Sequence, residues 1–232
     1  MPNKLEKGYK FLMKGDREAA QKIFNEIVKK PPETPQDYAM QGEAYFRLAN
    51  KHSIAIKYLK KAASMEPNDP EPQEILGEIY FAQGRYNLAR EYFQKAHELR
   101  PSSHIILNNL AATAMDQRDY DAAIKYAKQA IKKAPEELML RMLLSEIYKE
   151  ARMYKESVKA YEDAINIAQI NRSIGGEITA LYGLADLYEN FHNYDKAIET
   201  YKKALEKVPN EPIVKHALER VQHKKTGIRY IL

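Results

Sequence analysis

Residues 76–101 read "LGEIYFAQGRYNLAREYFQKAHELRP". Five aromatic side chains, Tyr80, Phe81, Tyr86, Tyr92 and Phe93, stand among basic residues and follow Gly77. Such interleaving suits two different tasks: a surface on which nucleic-acid bases stack, or the packing pattern of a helical hairpin. Spacing separates the two. Apolar residues recur three and four apart in two blocks, with "QGR" at 83–85 between them, which is helical periodicity interrupted by a turn.

The pattern also repeats along the chain, and a fixed period is the mark of stacked supersecondary units. Gly77, Tyr80, Ala89, Phe93, Ala96 and Pro101 have counterparts 34 residues on, at Ala111, Ala114, Ala123, Ala127, Ala130 and Pro135. Upstream the set is Gly42, Tyr45, Ala55, Leu59, Ala62 and Pro67, with one extra residue in the turn around "ANKHS", and before that Gly8, Phe11, Ala20, Phe24, Ile27 and Pro32. A fifth copy reads Ser145, Tyr148, Ser157, Tyr161 and Ala164, with Gln169 where proline is due. The sixth reads Ala185, Tyr188, Ala197, Tyr201, Ala204 and Pro209. Small residues let two helices approach while the bulky partners fill the gap, and the proline stops the second helix. Most of the tyrosines fall on packing places, which removes the support for base stacking.

These residues resemble the tetratricopeptide repeat, whose pattern is W-x-x-L-G-x-x-Y, then A-x-x-x-F, then P. "LGEIY" and "GRYNLAREYFQKAHELRP" carry the likeness most closely, although no copy has the tryptophan. The resemblance implies an all-α fold, a right-handed α-solenoid of six helix-turn-helix hairpins over 1–34, 35–69, 70–103, 104–137, 138–177 and 178–211. A capping helix is expected over 212–223 and a tail over 224–232. Ser145 and Ala185 lie 40 residues apart, so the fifth copy is expected to have a long second helix through "AINIAQI", then a loop at "NRSIGG" with Gly175-Gly176 as a hinge.

Composition narrows the function. The chain has 232 residues, 44% apolar and 30% charged, enough for a core and too charged for a membrane protein. Zero cysteines exclude disulfides, thiolate metal sites and a cysteine nucleophile. The polar N-terminal stretch has no apolar core of the signal-peptide kind, so a cytoplasmic protein is the expectation, with no insertion into membranes. The six histidines include no H-E-x-x-H, and neither phosphate-cradling glycine motifs nor G-x-S-x-G occur. No enzyme, metal or cofactor is expected.

In this family, places 2, 5, 9 and 12 of each first helix face a concave groove, and that spacing keeps to one helical face. Place 9 holds Tyr9, Glu43, Glu78, Ala112, Glu146 and Asp186; place 5 adds Glu74, Asn108, Met142 and Tyr182. Place 12 holds Leu12, Phe46, Phe81 and Met115, then Lys149 and Glu189. The expected groove is acidic, with an apolar stripe in its N-terminal two-thirds, although the net charge is +5. The lysine pairs lie on second helices. Relatives that hold acidic chaperone tails place Asn after the glycine, and none stands there in this chain. The function expected is a scaffold that binds a protein or peptide segment carrying basic and apolar residues. Two alternatives stand beside it: a homo-oligomer built through the tail "HKKTGIRYIL" or the groove, and nucleic-acid association through the lysine-rich convex face.

Overall fold

The computed structural model describes residues 4–48 and 51–226. Among these residues there are thirteen α-helices and no strand. The chain forms two compact units, Met1–Gln117 and Arg118–Leu232.

The first unit holds α1 (Lys4–Met13), α2 (Arg17–Ile27), α3 (Pro35–Arg47), α4 (His52–Met65), α5 (Glu71–Ala82), α6 (Tyr86–Leu99) and α7 (His104–Asp116). α1 packs on α2, α3 on α4 and α5 on α6; each second helix also touches the next first helix, and α3 and α7 both touch α5. Glycine explains how closely the pairs approach. A Cβ on Gly8 would lie 2.6 Å from the Phe24 ring, one on Gly42 2.6 Å from Leu59, and one on Gly77 2.5 Å from Phe93. Phe24, Leu59 and Phe93 are in turn fully buried. Small against large is therefore a steric requirement, not a compositional habit.

The second unit holds α8 (Tyr120–Lys133), α9 (Leu138–Glu150), α10 (Tyr154–Ile170), α11 (Ile174–Asn190), α12 (Tyr194–Lys207) and α13 (Pro212–Thr226). Here α9 packs on α10, α11 on α12, and α13 against α12. Tyr161 and Tyr201 take the large buried place. Ser145 and Ser157 take small ones without orphaned hydroxyls: Ser157 donates to the Ser145 carbonyl at 2.9 Å, and Ser145 to that of Arg141 at 2.7 Å.

Proline governs where second helices stop. The residues before Pro67, Pro101, Pro135 and Pro209 have φ from −133° to −138° and ψ from 72° to 95°, away from helical values. With Gln169 in that place, α10 runs for 17 residues. The expected "NRSIGG" loop is shorter than the sequence suggested. Only 171–173 lie between the helices, because Ser173 caps the Gly176 N–H at 3.2 Å and starts α11 at Ile174. Gly175 and Gly176 are thus in the first helical turn and do not form a loop hinge. Gly176 lies close to Leu138, where a Cβ would meet it at 2.5 Å. α13 extends three residues past His223, so Lys224 and Lys225 belong to the helix. Residues 227–232 of the tail lie outside the described residues.

Candidate binding faces on the first helices

All twelve groove candidates, Tyr9, Glu43, Phe46, Glu74, Glu78, Phe81, Asn108, Met115, Met142, Glu146, Tyr182 and Asp186, are half-buried. They fall into two groups with different surroundings.

In the Met1–Gln117 unit the polar residues converge on Arg47. The Tyr9 hydroxyl donates to Glu43, and Arg47 Nε donates to the Tyr9 oxygen at 2.7 Å. Arg47 Nη2 reaches Glu78 at 3.2 Å and Glu43 at 3.7 Å, while its guanidinium lies over the Phe46 ring at 4.5 Å. Burial raises the Tyr9 pKa, and Glu43 reinforces the shift. Glu74 is met by Arg100 at 3.9 Å. Burial also raises the carboxyl pKa values of Glu71, Glu74 and Glu78, and their acidic neighbours add to the effect: Glu43 for Glu71 and Glu78, Glu78 for Glu74. Four carboxylates thus crowd around two guanidiniums, and burial, then the neighbouring acids, disfavour the charged forms of Glu71, Glu74 and Glu78. Beside them Glu78, Phe81, Asn109 and Ala112 line a cleft of ≈ 90 Å³, about three water molecules' worth of space. Phe81 is braced edge-on by Tyr86 at 5.5 Å.

In the Arg118–Leu232 unit the acids already have partners. Lys149 Nζ sits 2.6 Å from Glu146 and 3.6 Å from Asp186. The Tyr161 hydroxyl donates to Glu146, and Asn190 donates to Asp186 at 2.9 Å. Glu189, expected at the polar end of a groove, is buried beneath α13. Arg220 donates to it at 3.0 and 2.8 Å and Lys224 at 2.8 Å. Burial alone would raise the Glu189 pKa, but the bonds from Arg220 and Lys224 outweigh it and hold the carboxyl below its usual range. Tyr182 packs on Tyr201 with ring centroids 5.6 Å apart.

Sequence reasoning missed Arg47, Glu71, Arg100 and the role of α13. A basic residue four places after an acid (Glu43, Arg47) was a readable signal on one helix. The reach from Arg47 to Glu78 crosses 31 residues, as does that from Arg220 to Glu189, so both pairs join neighbouring repeats.

The model of the tetratricopeptide repeat matches residues 72–136 and 136–209, more than half of the chain. The chain belongs to the tetratricopeptide repeat family. Among solved structures, tetratricopeptide-type folds align over most of its length. A chain of the APC/C hetero-tetramer Cut9–Hcn1 matches at TM-score 0.68 and 20% identity, over 94% of this chain but only 42% of that one. MamA residues 41 to the end, from Desulfovibrio magneticus RS-1, matches at TM-score 0.67 and 22% identity, over 78% of this chain and 98% of that one. YrrB, described as a TPR protein with an unusual peptide-binding site, matches at TM-score 0.61 and 17% identity, over 84% and 97%. At these identities the likeness concerns the fold. No curated protein matches the sequence. Among the described residues, no helix is long and apolar enough to cross a membrane, and no cluster of His, Cys, Asp or Glu could hold a metal ion.

Proposed function

We propose that this tetratricopeptide repeat protein is a non-enzymatic scaffold. Its first-helix face in the Met1–Gln117 unit takes a partner segment with Lys or Arg beside apolar residues. The observation that carries this reading is the crowding of Glu43, Glu71, Glu74 and Glu78 around Arg47 and Arg100. A cation placed among them relieves repulsion that the fold itself leaves uncompensated. Phe81 and its adjoining cleft offer an apolar anchor within reach of Glu78. Peptide binding by YrrB, a protein of the same fold, accords with this use of the scaffold.

The test is fluorescence anisotropy with a labelled peptide of lysines and leucines, on the wild type and on Glu74→Lys/Glu78→Lys. The reading expects the variant to bind about tenfold more weakly, and wild-type binding to fall as salt rises. Equal, salt-insensitive binding by both proteins would overturn it.

A further inference from the structure

Four turns of the second unit share a backbone feature that their side chains make costly. Arg118, Arg152 and His192 adopt φ near +60° and Arg172 φ 52°, all in the left-handed region. Arg152 and His192 end α9 and α11 in one hydrogen-bonded pattern: Met153 N–H donates to the Tyr148 carbonyl and Asn193 N–H to that of Tyr188, both at 2.8 Å. That is the helix-ending motif in which glycine is the unstrained residue. The first unit obeys the rule, with Gly15 and Gly84 at φ +77° and +70° after α1 and α5. In the second unit three arginines and a histidine stand where glycine would be unstrained.

Three of the four, all but Arg172, meet at one cleft. Arg118, Arg152 and His192 line a hollow of ≈ 630 Å³ together with Lys149, Tyr120 and Phe191. Lys149 is held by Glu146 and Asp186, and His192 Nδ1 lies 2.8 Å from the Tyr194 hydroxyl. The side chains of Arg118 and Arg152 make no hydrogen bond or ion pair among the described residues. Glu150 is the one carboxylate in the lining. Phe191, 40% exposed, is fixed as a platform by Tyr154, its ring centroid 4.5 Å away. Two free guanidiniums flanking a fixed aromatic ring match a short peptide with carboxylates on both sides of an apolar residue. A nucleic acid fits less well, because phosphate tracking needs an extended basic surface, whereas Glu156, Glu162, Asp163 and Asp195 interrupt the lysines of α10 and α12.

We infer that this cleft is a second binding site, separate from the acidic first-helix face, and that it takes an acidic, apolar-centred peptide segment of a partner protein. Arginine replaced by glycine supplies a test that misfolding cannot imitate. Arg118→Gly/Arg152→Gly removes both guanidiniums while relieving the left-handed strain, so the variant should melt at the same temperature as wild type or higher. The probe is a labelled peptide of glutamates around a central leucine, followed by anisotropy at low salt. The expected result is a loss of about tenfold or more in the glycine variant. Arg118→Lys/Arg152→Lys should retain most of the binding. Lys60→Gln/Lys61→Gln, which deletes the same charge from the first unit, should bind as wild type does. The inference is overturned if wild type does not bind the probe, if the glycine variant binds it unchanged, or if both charge deletions weaken it equally. It is also overturned if a single-stranded oligonucleotide binds more tightly than the peptide through the same two arginines.

Discussion

The two units use one packing scheme and opposite electrostatics. In Met1–Gln117, Glu43, Glu71, Glu74 and Glu78 outnumber Arg47 and Arg100 on the first-helix face. In Arg118–Leu232 the equivalent acids are matched within the fold: Glu146 and Asp186 by Lys149, Glu189 by Arg220 and Lys224. The positive charge left over there sits at the turns, on Arg118 and Arg152. A repeat fold fixes which places are small and which are large. The exposed helix faces are left to vary in charge, so one scaffold can present an acid-rich surface in one part and a satisfied surface in another.

The sharpest way to break this contrast is through Glu189. Its side chain is 3% exposed and receives three hydrogen bonds from two charged side chains, Arg220 and Lys224. Glu189→Ala should therefore cost about 3 kcal/mol in chemical denaturation, because it strands Arg220 and loosens α13. Glu74→Ala in the first unit should cost far less. If the two cost the same, the compensated and uncompensated faces are not different in kind.

A somewhat smaller effect is expected at the packing contact. Gly77→Ala puts a methyl 2.5 Å from the Phe93 ring and should cost about 2 kcal/mol. Ser145→Ala, at the matching place in the second unit, should cost about 1 kcal/mol or less, since the site already holds a Cβ and loses only the hydroxyl's bond to Arg141. Thermal melts of the two variants compare these directly.

Acid should act on the units with opposite signs. The folded pKa values of Glu71, Glu74 and Glu78 are raised. Between the unfolded value near 4.5 and those raised values the folded state binds more protons, so these groups favour folding increasingly as pH falls through that window. The folded pKa of Glu189 is depressed, so its contribution is complete above about 4.5 and is lost as pH falls through the depressed value. Amide exchange should show α3 and α5 holding or gaining protection on mild acidification, with α11 and α13 losing it first at lower pH.

The smallest expected effect is Glu74→Gln, within about 0.5 kcal/mol of wild type and on the stabilising side. It removes a charge that burial and Glu78 both disfavour.

Much of the fold is legible in the sequence because glycine, alanine and proline act locally. Gly77 opposite Phe93, and Pro101 after α6, announce a contact and a stop within a single repeat. The acidic row at place 9 is legible for the same reason, being a property of one helical face. Its energetics are not, because Arg47 meets Glu78, and Arg220 meets Glu189, across neighbouring repeats. Gly175-Gly176 misled for a related reason: glycine suggests a hinge, but the Ser173 cap and the close approach of Leu138 place both residues in α11. The period places Arg118 and Arg152 in turns, 34 and 68 residues after Gly84, but their left-handed backbone is not legible, since the turn residue there is not glycine.

The account rests on an uncompensated acidic face in the first unit. Its most direct test is a carbon-detected NMR titration of the glutamate carboxyls, with and without the lysine–leucine peptide. The account predicts that Glu74 and Glu78 titrate above the ordinary glutamate value in the free protein and move down when the peptide binds, while Glu189 stays depressed and unmoved. Ordinary pKa values at Glu74 and Glu78 that the peptide leaves unchanged would contradict it.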